Sequence, residues 1–148
     1  ENGMEPIRIS QINYSLAHSS VETFGDNTLV CMDTKEFRWY KKHDFPVMAF
    51  SPQAKGFFAK LAKGDAANNL PEGQYAGPAN LARLAKVKQL SEQTGDTPAK
   101  ITLGYLNSQP FFVSSVFAVT KLWQLDEDME AQDLTYDPKT VAFLENMI

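Results

Sequence analysis

The sequence predicts an α/β fold with parallel strands that form one piece of a larger sheet or barrel. Three observations predict it. Short apolar runs of strand type alternate with stretches of helical spacing, in the order strand, helix, strand, helix, helix, strand, helix, helix. That order belongs to parallel strands joined by crossovers. The strand runs are apolar on both sides or continuously, as strands covered on both faces are. Three strands alone also leave two outer edges of unpaired backbone groups, so the pattern implies further strands beside them.

Ile7 and Ile9 alternate with Arg8 and Ser10, and Ile12 and Tyr14 then alternate with Gln11 and Asn13. This period-2 spacing predicts a strand over residues 7–14, with the apolar phase changing sides at Gln11. Residues 18–27 are polar and hold Gly25-Asp26-Asn27, a turn signal, and Thr28 to Met32 is a candidate short extra strand. Asp33 or Thr34 caps a helix through His43 whose apolar members are Phe37, Trp39 and Tyr40, and Pro46 ends it. Val47-Met48-Ala49-Phe50 reads as a short buried strand. A loop begins at Ser51, and residues 64–80, rich in Gly, Asn and Pro, read as a mobile stretch. Leu81, Leu84, Ala85, Val87 and Leu90 recur at helical spacing, and Gly95 closes that helix. Asp96-Thr97-Pro98, a capping residue before a first-turn proline, starts another that runs to Ser108. Phe111 to Val119 is the third strand, Leu122 to Gln132 a helix, and Asp137-Pro138 opens a last helix through Met147.

At 148 residues the chain predicts one domain. Its 43% apolar and 22% charged residues suffice to bury a core. A formal net charge of -4 supplies no polybasic face, so neither nucleic acid nor a membrane surface is an expected partner. Cys31 is the only cysteine, which excludes an internal disulfide and predicts a reducing, cytoplasmic setting. No apolar run approaches the roughly 20 residues of a membrane helix, and no signal-peptide pattern is present. Asp126-Glu127-Asp128 reads as a helix face, because no His or Cys lies near it, and no metal is expected. The first residues, Glu1-Asn2-Gly3-Met4, read as a helix end, as though the chain begins inside an element.

Four segments carry a resemblance. They are Ser10 to Leu16, Pro46 to Phe58, Thr97 to Pro110 and Leu122 to Asp128. In this order and spacing they are similar to the sixth strand, the seventh strand with its loop, the helix before strand eight, and the helix after it in the aldo-keto reductase family. The resemblance spans nearly the whole chain. It implies the C-terminal part of a (β/α)8 TIM barrel, with parallel strands, helices outside and a site at the C-terminal ends of the strands. The N-terminal half of such a barrel is then absent from these residues.

The resemblance also implies roles. Gln11 matches the strand-six glutamine that hydrogen-bonds the nicotinamide carboxamide, a task for which an amide offers both donor and acceptor. Phe50 matches the aromatic, usually tyrosine, that stacks on the nicotinamide, and stacking needs only the ring face. Ser51 through Lys55, Gln53 among them, match the loop around the cofactor pyrophosphate, with Lys55 where the family often has a cation. Read without the resemblance, the same residues are a strand glutamine, a core phenylalanine and a plain strand-to-helix turn.

After strand eight the sequence departs from the family pattern. Where the family places a basic residue for the adenosine 2′-phosphate stands Thr120, with Lys121 next door to supply a charge. Glu127 is retained, and Asp128 replaces the asparagine that touches the adenine. NADP(H) is the implied cofactor, and the missing base leaves NAD(H) not excluded. The family's catalytic Asp, Tyr, Lys and His come from the first half of the barrel, so no catalytic residue is expected in this chain. His18 and His43 read as solvated.

The implied function is the cofactor-binding half of a nicotinamide-dependent oxidoreductase that reduces aldehydes or ketones to alcohols, inactive by itself. A small carbonyl compound is the expected substrate of the intact protein. The expected partner is the missing N-terminal half, or a second copy associating through the open edges. The alternative is a non-catalytic half-barrel that binds a nucleotide or a protein partner.

Overall fold

The computed structural model describes residues 3–64 and 75–145. Its strands are β1 (Ser10–Asn13), β2 (Val47–Phe50) and β3 (Val113–Val116). They form one parallel sheet in the order β1-β2-β3, with Ser10 opposite Val47 and Val47 opposite Val113. The helices are α1 (Val21–Phe24), α2 (Thr34–His43), α3 (Phe57–Ala62), α4 (Pro78–Thr94), α5 (Pro98–Asn107), α6 (Leu122–Met129) and α7 (Pro138–Leu144). The chain is thus an α/β unit whose strands are parallel, adjacent and joined through helices, as in part of a (β/α)8 barrel.

Alternation along the strands separates two faces. Ile12, Val47 and Ala49 are buried on one, where the hydrophobic core gathers Phe57 and Phe58 of α3, Val87 and Leu90 of α4, and Ile101 of α5. Burying side chains of this size contributes about 1.5–3 kcal/mol each, and α5, buried from Ile101 to Leu106, is the central helix of that layer. The other face carries Gln11, Met48, Phe50 and Val116. Gln11 and Val116 are exposed there, so this face is open.

Local signals explain most helix limits. Asp33 accepts from the Glu36 amide to start α2, Thr97 accepts from the Lys100 amide to start α5, and Asp137 accepts from the Lys139 and Thr140 amides to start α7. Gly95, in the left-handed region, ends α4.

Several sequence expectations are corrected. The first strand is Ser10–Asn13 rather than residues 7–14, because β2 offers only four residues to pair with; Ile7 stays 80% exposed. The third strand shortens to Val113–Val116 for the same reason. Thr28 to Met32 is no strand. It contributes a single parallel bridge, Cys31 to Asn13, with the Asn13 amide donating to the Val30 carbonyl and the Met32 amide to the Asn13 carbonyl. Two short helices replace predicted loop: α1, within the polar 18–27 stretch, and α3, where Phe57 and Phe58 anchor a turn in the core. In α4 the buried face is Asn80, Val87 and Leu90, while Leu81 and Ala85 are exposed. Asn80 replaces Leu81 inside because its side chain takes the His18 amide and donates to the carbonyls of His18 and Tyr75. The sixth helix ends at Met129, not Gln132, and the seventh at Leu144. Of the stretch expected to be mobile, residues 65–74 lie outside the described residues, as do 146–148.

Candidate functional site

At the C-terminal end of β2 the backbone leaves Phe50 and enters a sharply turned loop. Ser51, Ala54 and Lys55 hold φ of 52°, 50° and 56°, the left-handed region that favours glycine, and Gly56 follows at 79°. Each non-glycine residue there costs about 1–2 kcal/mol, and such costs gather where a backbone path serves a site. The turn is held by the Ala54 amide donating to the Ser51 carbonyl at 2.8 Å and the Gly56 amide to the Gln53 carbonyl at 2.9 Å.

The C-terminal end of β3 lies beside it and leads through residues 117–121 into α6. Between these two strand ends opens a cavity of about 700 Å³, within the range of small-molecule sites and at the end of a parallel sheet where ligands bind. Ser51, Gln53, Lys55, Thr120 and Glu127 line it, so the structure brings together five of the eight residues expected from sequence. Gln11, Phe50 and Lys121 do not line it. Gln11 and Phe50 lie on the open face of the sheet, where Gln11 opposes Met48 and Phe50 opposes Val116. Lys121 is exposed at the start of α6.

The cavity walls differ in charge. The wall built by the β2 loop and α3 carries Lys55, Lys60 and Lys63; the α6 wall carries Glu127 and Asp128. Asp128 is buried, and its Oδ1 accepts from Gln53 Nε2 at 2.6 Å, tying the two walls together. Its Oδ2 has no hydrogen-bond partner among the described residues. Burial pushes its carboxyl above the usual range, the Gln53 bond opposes that, and Glu127 next door adds to it. Lys60 Nζ donates to the Lys55 carbonyl at 2.9 Å, and Lys63 Nζ lies 5.2 Å from the centre of the Trp123 ring across the cavity. On the far side of the cavity, Gln124 Oε1 accepts from the amides of Thr120 and Lys121 and from the Thr120 hydroxyl.

Chemically, this arrangement suits a long ligand with an anionic portion near the lysines and a donor for the Asp128 oxygen. Among the described residues no group of His, Cys, Asp and Glu is placed to hold a metal, and no helix is long and apolar enough to cross a membrane. His18 is exposed and its amide donates to Asn80, while His43 lies against Trp39 at the end of α2; neither lines the cavity. Sequence reasoning missed Lys60, Lys63, Trp123 and Gln124. Nothing in their spacing marks them, since the cavity exists only once α3 and α6 face each other.

The model of the aldo/keto reductase family matches residues 5–148. Solved structures with a similar fold include three aldo-keto reductases. A thermostable aldo-keto reductase in complex with the inhibitor epalrestat is 14% identical, with a TM-score of 0.62 over 97% of this chain and 41% of its own. An aldo/keto reductase from Klebsiella pneumoniae in complex with NADP and acetate is 19% identical, with a TM-score of 0.59 over 94% of this chain and 38% of its own. A Klebsiella pneumoniae aldo-keto reductase in complex with NADPH is 19% identical, with a TM-score of 0.56 over 93% of this chain and 38% of its own. This chain therefore spans about two fifths of the length of those proteins.

Proposed function

The chain belongs to the aldo/keto reductase family, and from that premise we propose that it is the cofactor-holding part of an oxidoreductase that binds NADP(H) and reduces an aldehyde or ketone to an alcohol. The observation that carries this reading is the cavity at the ends of β2 and β3, cationic on one wall and acidic on the other. The Klebsiella pneumoniae neighbours were solved with NADP and NADPH, which supports the choice of ligand. The residues present fit such a ligand. The Ser51–Lys55 turn and its lysine suit a pyrophosphate, and the buried, unpartnered Asp128 oxygen calls for a donor such as an exocyclic amine.

In this reading Gln53 holds Asp128 in place, Ser51 and Lys55 orient the phosphates, and Gln11 and Phe50 position the nicotinamide on the open face of the sheet. When bound, the cofactor supplies the hydride. Reduction of a carbonyl also needs a proton for the developing alkoxide. We assign that proton to a tyrosine outside these residues, with its Asp, Lys and His, as the family resemblance implies. The outer edges of β1 and β3 are where the remaining strands of the barrel, or a second copy, would pair. The half-buried, unpaired Cys31 suits a reducing, cytoplasmic setting.

Titration of the chain with NADPH and NADP, followed by calorimetry, tests this reading. Phe50→Ala and Gln11→Ala should each weaken binding by about 1 kcal/mol or more. The 148-residue chain itself should not oxidise NADPH in the presence of aldehydes. Unchanged affinity in both variants would remove the assignment of the nicotinamide end, and turnover lost on mutating a residue of this chain would place the chemistry here instead.

A further inference from the structure

Within the reading that the cavity holds a nicotinamide dinucleotide, we propose that Lys63, reaching in from the end of α3, selects a cofactor that carries a phosphomonoester on its adenosine ribose. The residues that follow β3 do not perform this selection.

The donors after β3 are already used. The Thr120 amide, the Thr120 hydroxyl and the Lys121 amide converge on a single acceptor, Gln124 Oε1, at 3.1, 3.2 and 3.0 Å. A phosphate seated there would have to displace the glutamine and rebuild three hydrogen bonds. Lys121 supplies no substitute, since its side chain is exposed and does not line the cavity. Glu127 and Asp128 on the same wall would further repel a dianion, whereas they suit the amine of a base.

The opposite wall offers a cation in the right state. Of the three lysines that line the cavity, Lys60 is spent on the Lys55 carbonyl, and Lys55 belongs to the turn assigned above to the pyrophosphate. Lys63 has its backbone fixed at the end of α3, where its amide donates to the carbonyls of Ala59 and Lys60. Its side chain crosses to α6, and Nζ sits over the Trp123 ring at 5.2 Å. Trp123 is three residues beyond Thr120 and 54% exposed, so this contact lies at the cavity wall next to the loop after β3. The ion pairs among the described residues are Arg8–Glu5 and Lys100–Glu130, and neither involves Lys63. An exposed cation–π contact is weaker than a charge-assisted hydrogen bond to phosphate. A ribose phosphate would therefore draw Lys63 off the ring, leaving the indole face open to the base. Selection for the phosphorylated cofactor then survives the loss of a basic residue at Thr120.

Adenosine 2′,5′-bisphosphate and adenosine 5′-monophosphate probe this without any need for turnover. Both are titrated into the chain by calorimetry, with tryptophan emission as a second readout. The bisphosphate should bind more tightly. Lys63→Met should lower its affinity about tenfold and leave the monophosphate unchanged, while Lys63→Arg should retain it. Lys63 is exposed, so neither variant threatens the fold. If Lys63→Met binds both nucleotides as the parent does, or the loss falls on Lys121→Met instead, the proposal is overturned while the cofactor reading stands. If the parent chain binds neither nucleotide, the cofactor reading fails and Lys63 loses its role with it.

Discussion

Asp128 shows at the residue scale what the site costs the fold. One carboxylate oxygen is satisfied by Gln53 at 2.6 Å; the other is buried without a partner among the described residues. Burial raises its pKa, so the folded chain holds this proton more tightly than the unfolded chain does. The stabilising contribution is therefore fully present below the ordinary carboxylate pKa and is lost as pH rises through the raised value. Asp128 therefore contributes less to stability at pH 7 than it does at low pH. Asp128→Asn keeps an acceptor for Gln53 and cannot ionise, so it should stabilise the chain by about 1 kcal/mol at pH 7. The gain should shrink as the pH is lowered toward the carboxylate range, and urea midpoints across that range measure both effects. Equal midpoints at pH 7 would mean that the orphaned oxygen is no burden. Asp128 stood out in the sequence only as a departure from a pattern. Its bond to Gln53, 75 residues away, was invisible there because it depends on how the β2 loop turns. That turn was equally hidden: three residues other than glycine adopt positive φ in a stretch with no sequence mark for it.

At the scale of elements, legibility followed the strength of local signals. Helices α2, α5 and α7 begin where a capping side chain precedes the helix, and the cap bonds are present. Strand ends were misjudged because the ladder is only as long as its shortest member, and no property of β1 alone reveals that β2 has four residues. Helices α1 and α3 were missed because four and six residues are too few for periodicity to register. Within α5, Gly104 marks a close approach. A Cβ built there would lie 2.9 Å from Leu134 Cγ and 2.9 Å from the Tyr136 ring, neither of them the free end of a flexible chain. On helix propensity alone, Gly→Ala stabilises by about 1 kcal/mol. Here overpacking should reverse the sign, and Gly104→Ala should cost about 1–3 kcal/mol in chemical denaturation. A stabilised variant would show that α5 and the segment after α6 can move apart freely.

For the whole molecule, the question is how the sheet ends. A strand inside a closed barrel has two neighbours, whereas β1 and β3 each have β2 on one side only among the described residues. Part of the β1 edge is managed within the chain, since the amide and carbonyl of Asn13 are taken by Val30 and Met32. Gln11, two residues earlier on the same edge, has no such partner among the described residues, and β3 has no comparable cover along Val113–Val116. Beside these edges lie exposed apolar side chains: Ile9 at 38%, Phe112 at 63% and Val116 at 38%. The openness was foreseeable from three strand runs in the sequence; the cover over Asn13 was not, because it rests on one bridge rather than a strand. Each backbone group buried without a partner costs about 1–3 kcal/mol, against a total stability of about 5–15 kcal/mol. Water satisfies such edges only while they stay exposed, and the apolar neighbours favour their burial. The chain should therefore associate, either edge to edge with a second copy or with a polypeptide that supplies strands beside β1 and β3. Light scattering over a dilution series should show mass rising above 16.5 kDa with concentration. Val116→Lys, on the open face of β3, should shift that rise to higher concentration. A compact monomer at every concentration, with a single cooperative unfolding transition, would mean that the cover seen at Asn13 is enough and that the edges need no partner.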